Sequence, residues 1–60
     1  MTLLHTLTKD VTDRTSTWRF VETADGLCAL GGNYKVIPFR NKAAMTKSLA
    51  WFISKGFEIN

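Results

Sequence analysis

Two turn signals lying close together constrain the middle of this chain most strongly. The Asp-Gly pair at residues 25–26 favours a two-residue hairpin loop, because both central positions of a type I′ turn need positive φ. Gly-Gly-Asn at residues 31–33 supplies a second turn after the short run LCAL. The flanking segments, TWRFVETA and YKVIPF, are rich in β-branched and aromatic residues. The sequence therefore predicts a three-stranded antiparallel meander, with Pro38 at an edge or strand end because proline cannot donate to the ladder.

An amphipathic helix is predicted to follow the meander directly. Asn41 is a favoured N-cap, and Gly56 stands where a helix commonly ends on a residue of left-handed conformation. Apolar residues recur at i, i+4, i+7 and i+8 and make one stripe, formed by Met45, Leu49, Phe52 and Ile53. The last residues, GFEIN, can form a short strand or an extended tail. The predicted class is α+β: a small three-stranded antiparallel sheet followed by one helix, with room for a short C-terminal strand.

The first sixteen residues give a less decisive pattern. Leu3, Leu4, Leu7 and Val11 fit helical spacing, whereas alternation with threonine fits a strand, which β-branched threonine favours. We therefore divide the chain into a loosely ordered or docking segment, residues 1–16, and a single β-β-β-α domain, residues 17–60.

Both faces of the predicted meander are apolar. The first face carries Val21 opposite Leu30 and Thr23 opposite Cys28, together with Tyr34 and Val36. The second face carries Trp18, Phe20, Leu27, Ala29, Ile37 and Phe39. An antiparallel sheet normally has one polar face, and a single helix covers only one of these two. The other face is then either covered by the apolar residues of segment 1–16 or left as an interaction or dimer surface.

We expect the helix to cover the first face. The predicted core is Val21, Cys28, Leu30, Val36, Met45, Leu49, Phe52 and Ile53. The alternative is an inverted sheet with Trp18, Phe20, Leu27 and Ile37 inside, which a one-residue change of register would produce.

Composition excludes several kinds of site. Sixty residues make one domain of marginal stability, for which a disulfide, a metal or a partner is the usual reinforcement. Cys28 is the only cysteine and His5 the only histidine, which excludes an intrachain disulfide and a Cys/His zinc site. No Ser/His/Asp set, acid–base pair of carboxylates or phosphate-binding glycine signature is present. We therefore expect no catalytic activity, no cofactor and no metal. A partner or a second copy of the chain remains as the possible reinforcement of the fold.

The location of the protein is predicted from the same features. No run approaches the roughly 18 apolar residues of a membrane span. The N-terminus lacks the basic and apolar regions of a signal peptide, and one free thiol suits a reducing compartment. We expect a cytoplasmic protein with no membrane partner.

Basic residues are concentrated in the second half of the chain. Residues 1–34 carry three cations and four carboxylates, whereas residues 35–57 carry five cations and no carboxylate. Such asymmetry is typical of a surface for nucleic acid or another acidic partner.

Two places in the helix concentrate this charge. Arg40 and Lys42 flank its N-terminus, where the macrodipole disfavours cations by roughly 0.3–1 kcal/mol each and free N–H groups can hold a phosphate. Lys47 and Lys55 flank Trp51, which can stack on a base or fill a protein pocket. The alternatives are solvated basic residues and a tryptophan that covers the rim of the sheet.

Two phage protein families share this layout. Residues 18–53, WRFVETADGLCALGGNYKVIPFRNKAAMTKSLAWFI, resemble the arm-type DNA-binding domains of phage tyrosine recombinases, which place a three-stranded sheet against DNA with a helix behind it. The order of TWRFVE, YKVIPF, the helix ending near Trp51 and GFEI is similar to the short host RNA polymerase inhibitors of T7-like phages. The basic helix departs from an inhibitor that acts through an acidic face. Both resemblances imply a small phage or prophage accessory protein, acting in the host cytoplasm.

We therefore expect a small regulatory or accessory binding module. In the first interpretation it binds nucleic acid through Lys35, Arg40, Lys42, Lys47, Trp51 and Lys55. In the alternative it binds a host protein as an inhibitor or adaptor, as a monomer or a homodimer, through an apolar sheet face and Trp51. The residues assigned to that contact are Trp18, Phe20, Ile37, Phe39 and Trp51.

Overall fold

The computed structural model describes residues 1–32 and 34–60 and confirms the α+β class. The elements are β1 (Thr2–Val11), β2 (Arg14–Thr23), β3 (Gly26–Gly31), β4 (Val36–Phe39), α1 (Lys42–Ser54) and β5 (Glu58–Ile59). The strands form one antiparallel sheet in the order β4-β3-β2-β1-β5. The predicted meander corresponds to β2, β3 and β4, and β4, which contains Pro38, is an edge strand as expected.

The first hairpin loop lies one residue earlier than predicted. Thr23 pairs with Gly26, so Ala24 and Asp25 form the loop, and Gly26 begins β3 with a φ of 125°. The Thr23 hydroxyl holds this turn, because it accepts a bond from the Asp25 N–H (3.2 Å) and donates to the Gly26 carbonyl (3.1 Å).

The new loop changes the pairing but leaves each residue on its predicted face. Val21 pairs with Cys28 rather than with Leu30, and this two-residue slip conserves the alternation of side chains. The second predicted turn includes Asn33, which lies outside the described residues. Tyr34 was expected on the first face, but it stands between the strands in sequence, has a φ of 60° and is fully exposed.

The sheet has five strands rather than three, because both ends of the chain join it. In place of a loosely ordered or docked segment, residues 1–16 contain β1 and the start of β2, and Leu7 of β1 is fully buried. β5 forms the short C-terminal strand and pairs with Leu7 and Thr8 of β1. The apolar residues of the first segment therefore extend the sheet sideways instead of folding over it.

The helix packs on the second face, so the predicted side was wrong and the inverted alternative is the one observed. The core consists of Leu7, Phe20, Ala29, Met45 and Phe52. Trp18, Leu27, Phe39 and Leu49 pack around it. The inversion does not come from a one-residue change of register, because the observed two-residue slip leaves the side chains on their predicted faces. The second face carries large aromatic rings and gains Leu7 from β1, whereas the first face continues into threonines and Arg19, so the helix buries more apolar area on the second.

Several residues of the predicted core consequently lie elsewhere. Val36 and Ile53 are exposed, at 60% and 47%, and Cys28 and Leu30 are half-buried on the first face. Val21 is only 3% exposed, yet it belongs to that same face, where the described residues place no helix or further strand. Only Met45, Leu49 and Phe52 of the predicted set contribute to the core under the helix.

Both ends of the helix are capped, as the sequence predicts. The Asn41 side-chain oxygen accepts a hydrogen bond from the Ala44 N–H (2.9 Å). At the other end Gly56 has a φ of 99° and donates to the Ile53 carbonyl, while the Phe57 N–H donates to the Phe52 carbonyl. This pair of bonds is the Schellman motif, and it turns Phe57 back towards the core. Within the part of the chain that is described, no helix has the length and apolarity needed to cross a membrane.

Candidate functional site

An apolar groove lies where the last turns of the helix meet the beginning of β4. It is a shallow concavity of about 600 Å³ that is largely open to solvent. Its lining consists of Trp18, Lys35, Val36, Ile37, Trp51, Phe52 and Phe57. The groove is therefore built from three elements, β2, β4 and α1, from Lys35 just before β4, and from the residue that follows the helix cap.

The aromatic walls of the groove are fixed by one buried ring. The centroid of Phe52 lies 5.2 Å from that of Trp18, 5.2 Å from that of Trp51 and 5.1 Å from that of Phe57. The contacts with Trp51 and Phe57 are edge-to-face, with interplanar angles of 88° and 87°. Such pairs stabilise a fold by about 0.5–1.5 kcal/mol beyond the contribution of the buried area. The contacts with Phe52 therefore fix the positions of the rings that line the groove.

The two tryptophans of the groove differ in accessibility. Trp18 is half-buried, and its six-membered ring passes over Gly31 so closely that a Cβ there would lie 2.9 Å from a ring carbon. Trp51 is 55% exposed, and the Lys55 ammonium lies 5.6 Å from the centroid of its ring. Trp18 thus forms the floor of the groove, and Trp51 stands at its mouth.

A polar cleft of about 350 Å³ adjoins the apolar groove. It is lined by Arg14, Thr15, Ser16, Thr17, Trp18, Gly32 and Lys35. It exists because β2 is longer than β3: the pairing of these strands ends at Trp18 and Gly31, while β2 begins four residues earlier. Trp18 and Lys35 line both cavities, which are therefore two parts of one site.

The charge around this site has one sign. Arg14 and Lys35 line it and Lys55 lies over Trp51, whereas no Asp or Glu is among the described residues that line either part. One carboxylate adjoins it, since Asp10 accepts a hydrogen bond from the Thr15 hydroxyl (3.0 Å). The site therefore presents cations next to aromatic surface.

The structure brings together four of the six residues predicted to bind nucleic acid. Lys35 and Trp51 line the groove, and Lys47 and Lys55 stand four residues before and after Trp51 on the same exposed flank of the helix. Arg40 and Lys42 are exposed at the helix start, roughly 20 Å from Lys55 along the axis at 1.5 Å per residue. The predicted basic surface is thus divided into two groups.

The residues predicted for a protein contact are also divided. Trp18, Ile37 and Trp51 line the groove. Phe20 is fully buried, and Phe39 is half-buried and stacked on it, with the ring centroids 5.6 Å apart. Phe20 and Phe39 are therefore core residues and not contact residues, because the helix covers their face of the sheet.

Sequence reasoning missed Arg14, Ser16 and Phe57. Arg14 and Ser16 enter the site through the unequal lengths of β2 and β3, which follow from the position of the second turn. Phe57 enters because the turn at Gly56 reverses the chain. The two singular residues, His5 and Cys28, lie outside the site: His5 packs edge-on against Phe20, and Cys28 is a half-buried free thiol. No three of the described His, Cys, Asp and Glu residues are grouped as metal ligands would be.

Comparison with models of protein families, with curated proteins and with solved structures finds no match for this chain. The interpretation of the site consequently rests on its geometry.

Proposed function

We propose that the protein is a non-catalytic binding module that holds an apolar side chain of a partner protein in the apolar groove. The observation that carries this proposal is the setting of Trp51. Its indole is more than half exposed at the mouth of a preformed groove and is fixed by Phe52 at its edge. Tryptophans in pockets of this kind are enriched among the residues that dominate binding energy in protein interfaces.

The side chains of the site support binding without chemistry. The described residues that line its two parts include hydroxyls and cations, but no histidine, cysteine or carboxylate. The one adjoining carboxylate, Asp10, is exposed and bonded to the exposed Thr15 hydroxyl, and no other acid or base among the described lining residues completes an acid–base set with it. Binding is therefore the function that these groups serve best.

Two features favour a protein partner over nucleic acid. The groove contains the aliphatic side chain of Ile37 beside its aromatic rings, which suits an apolar side chain better than a stacked base. Arg40 and Lys42 also lie at the helix start, and of the cations among the six predicted residues only Lys35 lines the groove and only Lys55 lies over its exposed tryptophan, which is few for a surface that follows a phosphate backbone.

Nucleic acid is the second candidate partner, and one observation favours it. Lys55 lies over Trp51 while Lys35 lines the same groove, an arrangement in which a base stacks on the indole and neighbouring phosphates meet lysines. Arg40 and Lys42 would then hold a further phosphate at the helix start. For either partner, the resemblance of the sequence to phage accessory proteins is the reason to propose a regulatory role in the host cytoplasm.

An affinity capture with matched variants tests the proposal. Wild type, Trp51→Ala and Ile53→Ala are immobilised and exposed to a bacterial lysate, with and without nuclease. Ile53 is the control because it is comparably exposed but lies outside the groove. We expect a protein that is retained after nuclease treatment by wild type and Ile53→Ala, and lost with Trp51→Ala. Retention that disappears with nuclease would favour the second candidate, and equal capture by all three variants would refute both.

A further inference from the structure

The polar cleft is bounded by the first residues of β2, which pair with a described strand on one side only. Residues 14–17 of β2 pair with β1 over their full length, from Arg14 with Val11 to Thr17 with Thr8. On the other side, the described ladder between β2 and β3 ends at Trp18 and Gly31. An extended strand paired on one side only presents N–H and C=O groups to any segment that can align with it.

The backbone groups that face the cleft can be assigned. The Gly31 N–H donates to the Lys35 carbonyl (2.8 Å), so the backbone groups of Gly31 point towards β4. Because these directions alternate along a strand, the groups of Leu30 point towards β2, and those of its partner Arg19 towards β3. The same alternation directs the N–H and C=O of Thr17 and Thr15 into the polar cleft, while those of Ser16 pair with β1.

Side chains alternate between the two faces of the sheet, and those of one face connect the two parts of the site. Trp18 lies under the helix, so Ser16 and Arg14 project on that same face, and Thr15 and Thr17 on the other. A segment added in line with β3 would place alternate side chains beside Trp18, at the entrance of the apolar groove.

The charge of the cleft selects the segment. Arg14 and Lys35 line it, and the one adjoining carboxylate is Asp10, which accepts a hydrogen bond from the Thr15 hydroxyl; the excess of cations favours acidic side chains on the incoming chain. Matching the N–H and C=O groups of both Thr15 and Thr17 requires alternating amide donors and acceptors. A peptide backbone has these at the strand spacing of about 3.3 Å per residue, whereas a DNA backbone has only acceptors and an RNA backbone adds only its 2′-hydroxyls as donors.

We propose that an extended acidic segment of a partner protein adds to β2 at residues 14–17, in line with β3 beyond the end of the described ladder, and inserts an apolar side chain beside Trp18. This inference rests on the proposed function, since it specifies how the partner reaches the groove. Strand addition supplies main-chain bonds along the polar cleft, and the apolar groove supplies selectivity for one side chain.

Amide hydrogen exchange of the free protein is the first test. We expect the Thr15 and Thr17 amides to exchange at least tenfold faster than that of Ser16, which is bonded to β1. Equal protection of all three amides would show that this edge is already closed and would overturn the inference.

A synthetic peptide array is the second test. The probes are acidic heptapeptides with one Leu, Ile or Phe anchor, with lysine heptapeptides of the same anchors as controls. We expect acidic members to bind and to protect the Thr15 and Thr17 amides. Methylation of one amide nitrogen that faces β2 should weaken binding about tenfold, as loss of one such bond implies, whereas methylation of the next amide should not. Binding of no peptide, or insensitivity to methylation, would overturn strand addition.

Charge-reversal variants complete the design and separate the two proposals. Arg14→Glu should weaken binding of the acidic peptides and improve that of the lysine peptides, while Arg19→Glu, exposed on the first face, should change neither. If lysate capture depends on Trp51 but the peptide tests fail, the groove is a protein site without strand addition. If capture is independent of Trp51, the proposed function itself fails.

Discussion

The two faces of the sheet are both apolar at their centres, yet only one is covered. Under the helix, Phe20 is completely buried by rings from three other elements. On the opposite face, Val21 is nearly as inaccessible, although the described residues place no helix or further strand over it. It stands in a cross-strand row with Leu3, Cys28 and Pro38, of which Leu3 and Pro38 are exposed. Low exposure therefore occurs both under a second layer and within a row that no described element covers.

The largest expected difference is between adjacent residues on opposite faces. Phe20→Ala should lower the free energy of unfolding by about 3–5 kcal/mol, because it opens a cavity under the helix. Val21→Ala should lower it by about 1.5 kcal/mol, the transfer free energy of two methylene-sized groups. Urea denaturation followed by circular dichroism measures both.

The loss expected for Phe20→Ala can exceed the unfolding free energy of the whole chain, since 60 residues at 0.05–0.15 kcal/mol each give only about 3–9 kcal/mol. Phe20→Leu, with a smaller loss, is then the measurable substitute. A larger loss from Val21→Ala than from either Phe20 variant would mean that the faces are assigned the wrong way round.

A smaller effect is expected where the covered face meets the site. Gly31→Ala should destabilise the protein by about 1–3 kcal/mol, because the new methyl group would overlap the ring of Trp18. Gly32→Ala is the matched control, since a methyl group added there would have no neighbouring atom within 4 Å. In a Trp51→Phe background, fluorescence reports Trp18 alone, and its emission should shift for Gly31→Ala only. An unchanged spectrum and stability would show that Trp18 does not lie over Gly31.

The smallest effect should come from the thiol of the uncovered face. Cys28→Ser should cost less than about 1 kcal/mol, because the hydroxyl remains close to water on a surface without a covering layer. The adjacent change Ala29→Ser buries a hydroxyl under the helix and should cost about 1–3 kcal/mol. Thermal unfolding of the two variants compares them directly. Equal losses would imply that a second layer covers Cys28 in solution.

The assignment of residues to faces was predictable because it depends only on alternation along strands. The side chosen by the helix was not, since it depends on how β1 extends each face: Leu7 enlarges one and threonines the other. The caps at Asn41 and Gly56 were predictable because they are local.

The composition of the site was predictable only in part. Lys35, Trp51 and Lys55 could be grouped from the helix and the strand before it. Arg14 and Phe57 could not, since their positions depend on where a ladder ends and on how the chain reverses after the helix. The periodicity of apolar side chains predicts neither where the ladder ends nor how the chain reverses.

The contact of Lys9 with the end of the helix has a consequence for the order in which the fold forms. Its ammonium donates to the Lys55 carbonyl (2.7 Å) and lies 5.8 Å from the ring centroid of Phe57, and Asn60 bonds to Thr8 nearby. These bonds join residues 46 and 52 positions apart, whereas the three hairpins need only short loops to close. Contacts between distant parts of a chain form more slowly than local ones. The hairpins from β1 to β4 are therefore expected to pair before β5 reaches β1. Residues 57–60 then close the second side of β1 and fasten the end of the helix to a sheet that is already assembled.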